Sequence, residues 1–276
     1  MTRHRLNCAV LAALILALPA ASRAAAPWWP AGVDLGRGVD LDEDYRAQFG
    51  LCDTADSFRG AAFPDRRSCR SDPNRVTALR RLPGGAVAYV SKLAVDFDGS
   101  PLACSADRNA SDQCGTSLEP PDATGTPQPV NADRVPYVVI PRAGPAPDRG
   151  EFTRLTGVEP GDFGVVIWKG RTVPVIVADT GPYNKLGEGS LALHRALGHE
   201  QCAQRDAADT CRAAMDPQSS IDGDVVTVLF PGSARPGLTA ETVEAVARTE
   251  GARLWADYLA RNPPPRAPGA ASPATR

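Results

Sequence analysis

The sequence predicts a β-rich α+β fold, a single domain built on short strands with a few helices around them. Three observations carry this. Apolar, β-branched runs follow closely at residues 135–140, 164–169 and 172–178, each of strand length. Lys169-Gly170-Arg171 reads as the tight turn of a hairpin joining the second run to the third. Residues 224–230 add another strand, whereas only one long stretch, near the C-terminus, has broad helical periodicity.

The N-terminus reads as a secretory leader over residues 1–24. Arg3 and Arg5 precede an apolar run over residues 8–18, and small residues follow at Ser22 and Ala24 to Ala26, so cleavage after Ala24 or Ala26 is expected. The run is shorter than the roughly 20 residues a spanning helix needs. Cys8 precedes the apolar core, which argues against a lipoprotein anchor. The expected product is exported, to the extracellular space or a periplasm, and has no membrane partner after cleavage.

Six cysteines then remain: Cys52, Cys69, Cys104, Cys114, Cys202 and Cys211. An even number in an exported chain predicts a disulfide framework. Sequence neighbours suggest 52–69, 104–114 and 202–211, although six cysteines allow 15 connectivities. Zinc is the poorer reading, because no Cys-x-x-Cys pair is present. Without the leader the chain has 27 basic and 32 acidic residues, a net charge of −5, which argues against nucleic acid or an anionic membrane as partner.

In chain order, residues 27–80 show little periodicity. Trp28 and Trp29 are expected to pack on the domain, the 52–69 segment to form a stapled loop, and residues 73–81 a short helix. Residues 86–97 read as a strand ending in the turn Asp96-Phe97-Asp98-Gly99, where the further ligands of a calcium loop are missing. Residues 100–132 form a long irregular stretch pinned by Cys104 and Cys114, with a sequon at Asn109. Pro174 marks an edge or bulge at the start of its strand. Ser190 caps and Gly198 stops a short helix, a second stapled loop follows at 202–211, and Thr239 opens a helix reaching Arg261. Residues 262–276 are a Pro/Ala-rich tail with nothing to bury. The domain therefore spans 27–261.

The chemistry centres on residues 175–190. An apolar run ends on Asp179, a Gly181-Pro182 turn follows, and Glu188 stands just before the helix. Two carboxyl groups with separated pKa values can cleave a glycosidic bond, one protonating the leaving oxygen and the other activating water. The plainer reading has Asp179 starting a turn and Glu188 answering a helix dipole. No Gly-x-Ser-x-Gly elbow and no phosphate-binding glycine loop is present. His194 and His199, five apart, are expected to be structural or surface residues.

The run Val175-Ile-Val-Ala-Asp179-Thr-Gly-Pro182, with Lys185-Leu-Gly-Glu188-Gly-Ser190, resembles the signature of the glycoside hydrolase family 75 chitosanases. The resemblance extends to Leu93-Ala-Val-Asp-Phe-Asp-Gly99, Pro136-Tyr-Val-Val-Ile-Pro141 and Gly161-Asp-Phe-Gly164, and covers residues 86–230. It implies an inverting endo-hydrolase of chitosan, β-1,4-linked glucosamine, needing no cofactor or metal. It places the two essential carboxylates on Asp179 and Glu188, and it implies substrate contacts at Asp96, Asp98, Asp162, Tyr183 and Lys185. The strand–Asp–Gly-Pro pattern also looks like that of double-psi β-barrel proteins, which implies a barrel core. Glu188 beside Leu186 is the expected acid and Asp179 the base, while Lys185 and the helix start favour the reverse. A monomer acting on a polysaccharide is expected. The alternatives are a barrel-type lytic enzyme acting on peptidoglycan and a non-catalytic glycan-binding domain.

Overall fold

A computed structural model describes residues 33–41, 43–58, 61–62, 69–70, 72–105, 113–142, 151–216 and 219–263. The expected leader, Trp28, Trp29, Asn109 and the tail beyond Pro263 lie outside them. The chain runs β1 (Val39–Asp40), α1 (Glu43–Ala55), β2 (Ser57–Phe58), β3 (Ala61–Ala62), β4 (Ala78–Arg81), β5 (Val87–Asp96) and β6 (Tyr137–Pro141). It continues α2 (Glu151–Thr156), β7 (Phe163–Trp168), β8 (Arg171–Gly181), β9 (Glu188–Ser190) and α3 (Leu191–Leu197). β10 (Cys202–Arg205), β11 (Cys211–Ala214), β12 (Ile221–Phe230) and α4 (Val243–Arg261) complete it.

Six strands close into a barrel in the order β5-β12-β7-β8-β6-β9, with β9 returning to β5. The β6–β8 and β5–β9 pairs are parallel and the others antiparallel. Closure removes the unpaired edges an open sheet would carry. One edge of β5 is shared: its first half takes β4, its last three residues take β9.

Side-chain alternation along each strand divides the core into an interior and an outer shell. Val87, Tyr89 and Leu93 of β5, Val138 and Ile140 of β6, Val175 and Val177 of β8, and Val225 and Leu229 of β12 converge in one buried cluster. The opposite faces are covered as well. Val165, Ile167, Val226 and Val228 lie with Tyr258 of α4, while Tyr137, Val139, Ile176 and Ala178 lie with Val243 and Ala247. Strands buried on both faces read as continuous apolar runs, which explains the pattern of β8 and β12. Helix α4 lies close because residue 251 is glycine: a Cβ there would stand 2.7 Å from the Gly164 carbonyl oxygen and 3.0 Å from Pro174.

The β-rich domain, the hairpin and the three neighbour disulfides, Cys52–Cys69, Cys104–Cys114 and Cys202–Cys211, are present. Pro174 lies in the part of β8 that pairs only with β7, since pairing with β6 begins at Ile176. Ser190 caps α3 through Leu193 N, and Gly198 ends it at φ +85°.

Several boundaries differ. The helix expected over 73–81 is instead a loop and strand β4, because Leu79 pairs with Tyr89 and its backbone completes the free edge of β5. Helix α1 falls within a segment expected to be irregular. Glu188 is not at the helix start but in β9, the three-residue strand that completes the barrel. Thr239 makes a preliminary turn with Thr242, and α4 proper starts one turn later.

Candidate functional site

Asp179 is placed by a β-bulge. Val138 of β6 faces Val177, but the next residue, Val139, faces Asp179, leaving Ala178 as the extra residue on β8. Strict alternation would turn Asp179 into the barrel with Val177. The bulge lets Ala178 and Asp179 share the outward face. Ala178 also accepts a backbone hydrogen bond from Leu118 at 2.8 Å, drawing the segment after Cys114 along the strand. The neighbouring Ser117 then donates to Asp179 Oδ1 from its amide at 2.8 Å and its hydroxyl at 2.7 Å. No described residue hydrogen-bonds to Oδ2.

Glu188 stands on the other side of the same residue: Val139 is also its register partner, across the β6–β9 pair. Residues in register across a sheet point to one face, so both acids flank Val139 on the outward side. Gly187 makes this possible. At φ +83°, it approaches β5 so closely that a Cβ would lie 2.1 Å from the Lys92 carbonyl oxygen. Gly181 lies beside the carboxylate: a Cβ there would touch Glu188 Oε2 at 3.4 Å and press on Val139 at 3.2 Å. The loop before Glu188 is anchored on buried Asn74, whose side chain bonds the Asn184 carbonyl and Leu186 N.

The Asp96–Gly99 turn brings two more acids. Carboxylate oxygens of Asp96, Asp98 and Asp179 lie within 4.8 Å of one another, and all three residues are buried. Asp96 Oδ1 accepts from Asp98 N at 2.8 Å, and Asp98 Oδ1 accepts from Gln113 N. Tyr137 Oη, fully buried, contacts Asp96 Oδ2 at 3.1 Å and the Asp98 carbonyl at 2.9 Å. Burial, then the charges of Glu188, Asp98 and Asp179, push the Asp96 carboxyl well above the usual carboxylate range. The interaction with Glu188 links that residue to the cluster.

The remaining expected contacts divide. Lys185 is paired with Asp72 at 3.4 Å, and Asp72 also takes buried Lys92 at 2.8 Å. Burial lowers the Lys185 ammonium from its ordinary value, against the pull of Asp72 and Glu188. Tyr183 packs against the Cys52–Cys69 disulfide. Asp162 lies apart from these acids in the hydrogen bonds it makes: it is 1% exposed, and its carboxylate accepts from the amides of Glu159, Ser233 and Ala234, tying two turns together. His194 is buried, with Nε2 3.0 Å from the Ala94 carbonyl oxygen and Nδ1 facing His199, a structural role. An open cleft of about 660 Å³ around Trp168, Lys169, His199 and Asp222 includes neither acid.

Sequence reasoning missed Ser117 and Tyr137 as site residues. Ser117 lies in an aperiodic stretch with no local signal. Tyr137 stands within residues 136–141, where its strand context hid the polar end of its ring. Among known proteins, no family model and no curated sequence matches this chain.

Proposed function

We propose that this chain is a secreted, endo-acting glycoside hydrolase that cleaves β-1,4 linkages in chitosan with inversion, using Asp179 and Glu188. The observation carrying this reading is that both acids are register partners of one residue, Val139, on the outward face of a closed barrel. Two strand spacings put their backbones about 10 Å apart. That distance is compatible with carboxyl separations of roughly 6.5–9.5 Å, which leave room for a water molecule on the far side of the sugar.

Asp179 is the base. Ser117 fixes one of its oxygens, and the other orients the attacking water. Glu188, beside Gly181 on the same face, is the acid. Glu188 protonates the glycosidic oxygen as the bond to the anomeric carbon breaks. Water adds to that carbon from the opposite face, and Asp179 takes its proton. Exchange of protons with solvent then resets the pair. Asp98 and Asp179, gathered beside Glu188, also favour a polycationic substrate. Three disulfides suit an exported protein, and among the described residues no helix is long and apolar enough to cross a membrane.

The test is release of reducing ends from chitosan, with purified peptidoglycan as a parallel substrate. Wild type is expected to cleave chitosan to a first product of inverted anomeric configuration, read by NMR. Asp179→Asn and Glu188→Gln are each expected to lower turnover by about 10²–10⁴-fold with circular dichroism unchanged. An unchanged chain length with wild type, or full activity in either variant, overturns the reading.

A further inference from the structure

The contacts around Tyr137 impose a constraint on the neighbouring acid. Its hydroxyl carries one hydrogen, yet it lies within hydrogen-bond distance of two oxygens, Asp96 Oδ2 and the Asp98 carbonyl. The carbonyl can only accept. Both contacts are full hydrogen bonds only if Tyr137 donates to Asp98 and Asp96 Oδ2 brings its own proton. The other Asp96 oxygen fits: Oδ1 accepts from Asp98 N, as the carbonyl oxygen of a carboxylic acid does.

We propose that Asp96 is a neutral carboxylic acid in the folded protein, donating to Tyr137 Oη, and that it positions the Asp96–Gly99 turn beside Asp179 and Glu188. Its surroundings favour that form. Asp96 is 4% exposed, and the titratable groups facing it are Asp98 on its own turn, Asp179 on β8, Glu188 on β9 and Tyr137 on β6, acids all. Lys92 and Lys185 direct their ammonium groups to Asp72. Burial and like charge act in the same direction and raise the Asp96 carboxyl.

A neutral Asp96 removes one negative charge from a four-acid cluster, so that proton exchange in a catalytic cycle falls to Asp179 and Glu188. This part rests on the hydrolase reading above. The turn that Asp96 positions is also packed closely: Gly99, at φ +74°, lies so close beneath Val130 that a Cβ would stand 2.2 Å from its carbonyl oxygen.

Asp96→Asn tests the proposal, because an amide presents the same donor and acceptor without a titrating proton. The expected result is a smaller loss of chitosan cleavage in Asp96→Asn than in Asp96→Ala, which removes both donor and acceptor. Two further readouts need no activity. At neutral pH, wild type should show the infrared carbonyl band of a protonated carboxylic acid that is missing from Asp96→Asn. If the asparagine variant does not fold, Tyr137→Phe should shift that band's frequency instead. In thermal melts, wild type should lose Tm relative to Asp96→Asn as pH rises from about 4 towards the raised folded-state value, because above about 3.9 the unfolded chain releases a proton that the folded chain keeps. Absence of the band, or a Tm gap that stays flat from pH 4 to 7, overturns the neutral acid. A folded Asp96→Asn that cleaves no better than Asp96→Ala overturns the positioning role. If wild type cleaves no chitosan, the hydrolase reading fails, and the infrared and thermal results still decide Asp96.

Discussion

Gly187 precedes Glu188 in a left-handed conformation, φ +83°, with space for only a hydrogen where a side chain would begin. Alanine there meets the Lys92 carbonyl at 2.1 Å and the Ser91 hydroxyl at 2.3 Å. Both lie on β5, which cannot withdraw without leaving β12. Gly187→Ala is therefore expected to cost about 2–3 kcal/mol of stability, read by urea unfolding. It should also displace Glu188 and lower chitosan turnover in whatever protein still folds. A single hydrogen atom thus decides where the second acid stands. Ser117 works in the opposite way, adding two donors to one oxygen of Asp179.

At the scale of elements, α4 is seated on the β7–β8 hairpin through Gly251. Gly251→Val would push a branched side chain into Gly164 and Pro174, and is expected to cost about 1–3 kcal/mol. Ala252→Val, exposed on the same helix, should change stability by no more than about 0.7 kcal/mol; comparing their urea midpoints checks the packing. The strands buried on both faces, the hairpin at Gly170, the cap at Ser190 and the stop at Gly198 were legible because local chemistry and long-range packing agree there. Residues 78–81 were not, because only the free edge of β5 makes them a strand. β9 was hidden for a similar reason: Glu188-Gly189-Ser190 has no strand propensity, and its geometry comes from the two strands on either side. Of the site, the two acids and the Asp96–Gly99 turn stood out in sequence. Ser117 did not, since its partner, Asp179, is set by a bulge and lies 62 residues further on.

For the whole molecule, pH acts through two buried groups with opposite signs. Burial lowers the His194 imidazole to about 4, so the folded chain holds it neutral. As pH falls through 6.5, the unfolded chain takes up a proton first, and stability drops until about pH 4, by roughly 3 kcal/mol in all. Asp96, raised rather than lowered, contributes stability in the other direction as pH falls towards about 3.9. The two partly cancel, so wild-type stability alone understates both. Replacing His194 by glutamine is expected to remove its share: urea unfolding at pH 7 and pH 4.5 should show a smaller acid loss in His194→Gln than in wild type.

The barrel also sets an order of events. β9 is its shortest strand, and its parallel partner on β5 lies far upstream in the chain, so this contact has a high loop-closure cost and gains least from its own length. Glu188 sits on that seam, while Asp179 is already held by β6, β8 and Ser117. A chain with that seam open would still hold Glu188 beside Asp179 through β6, but would leave both without the Asp96–Gly99 turn that follows β5.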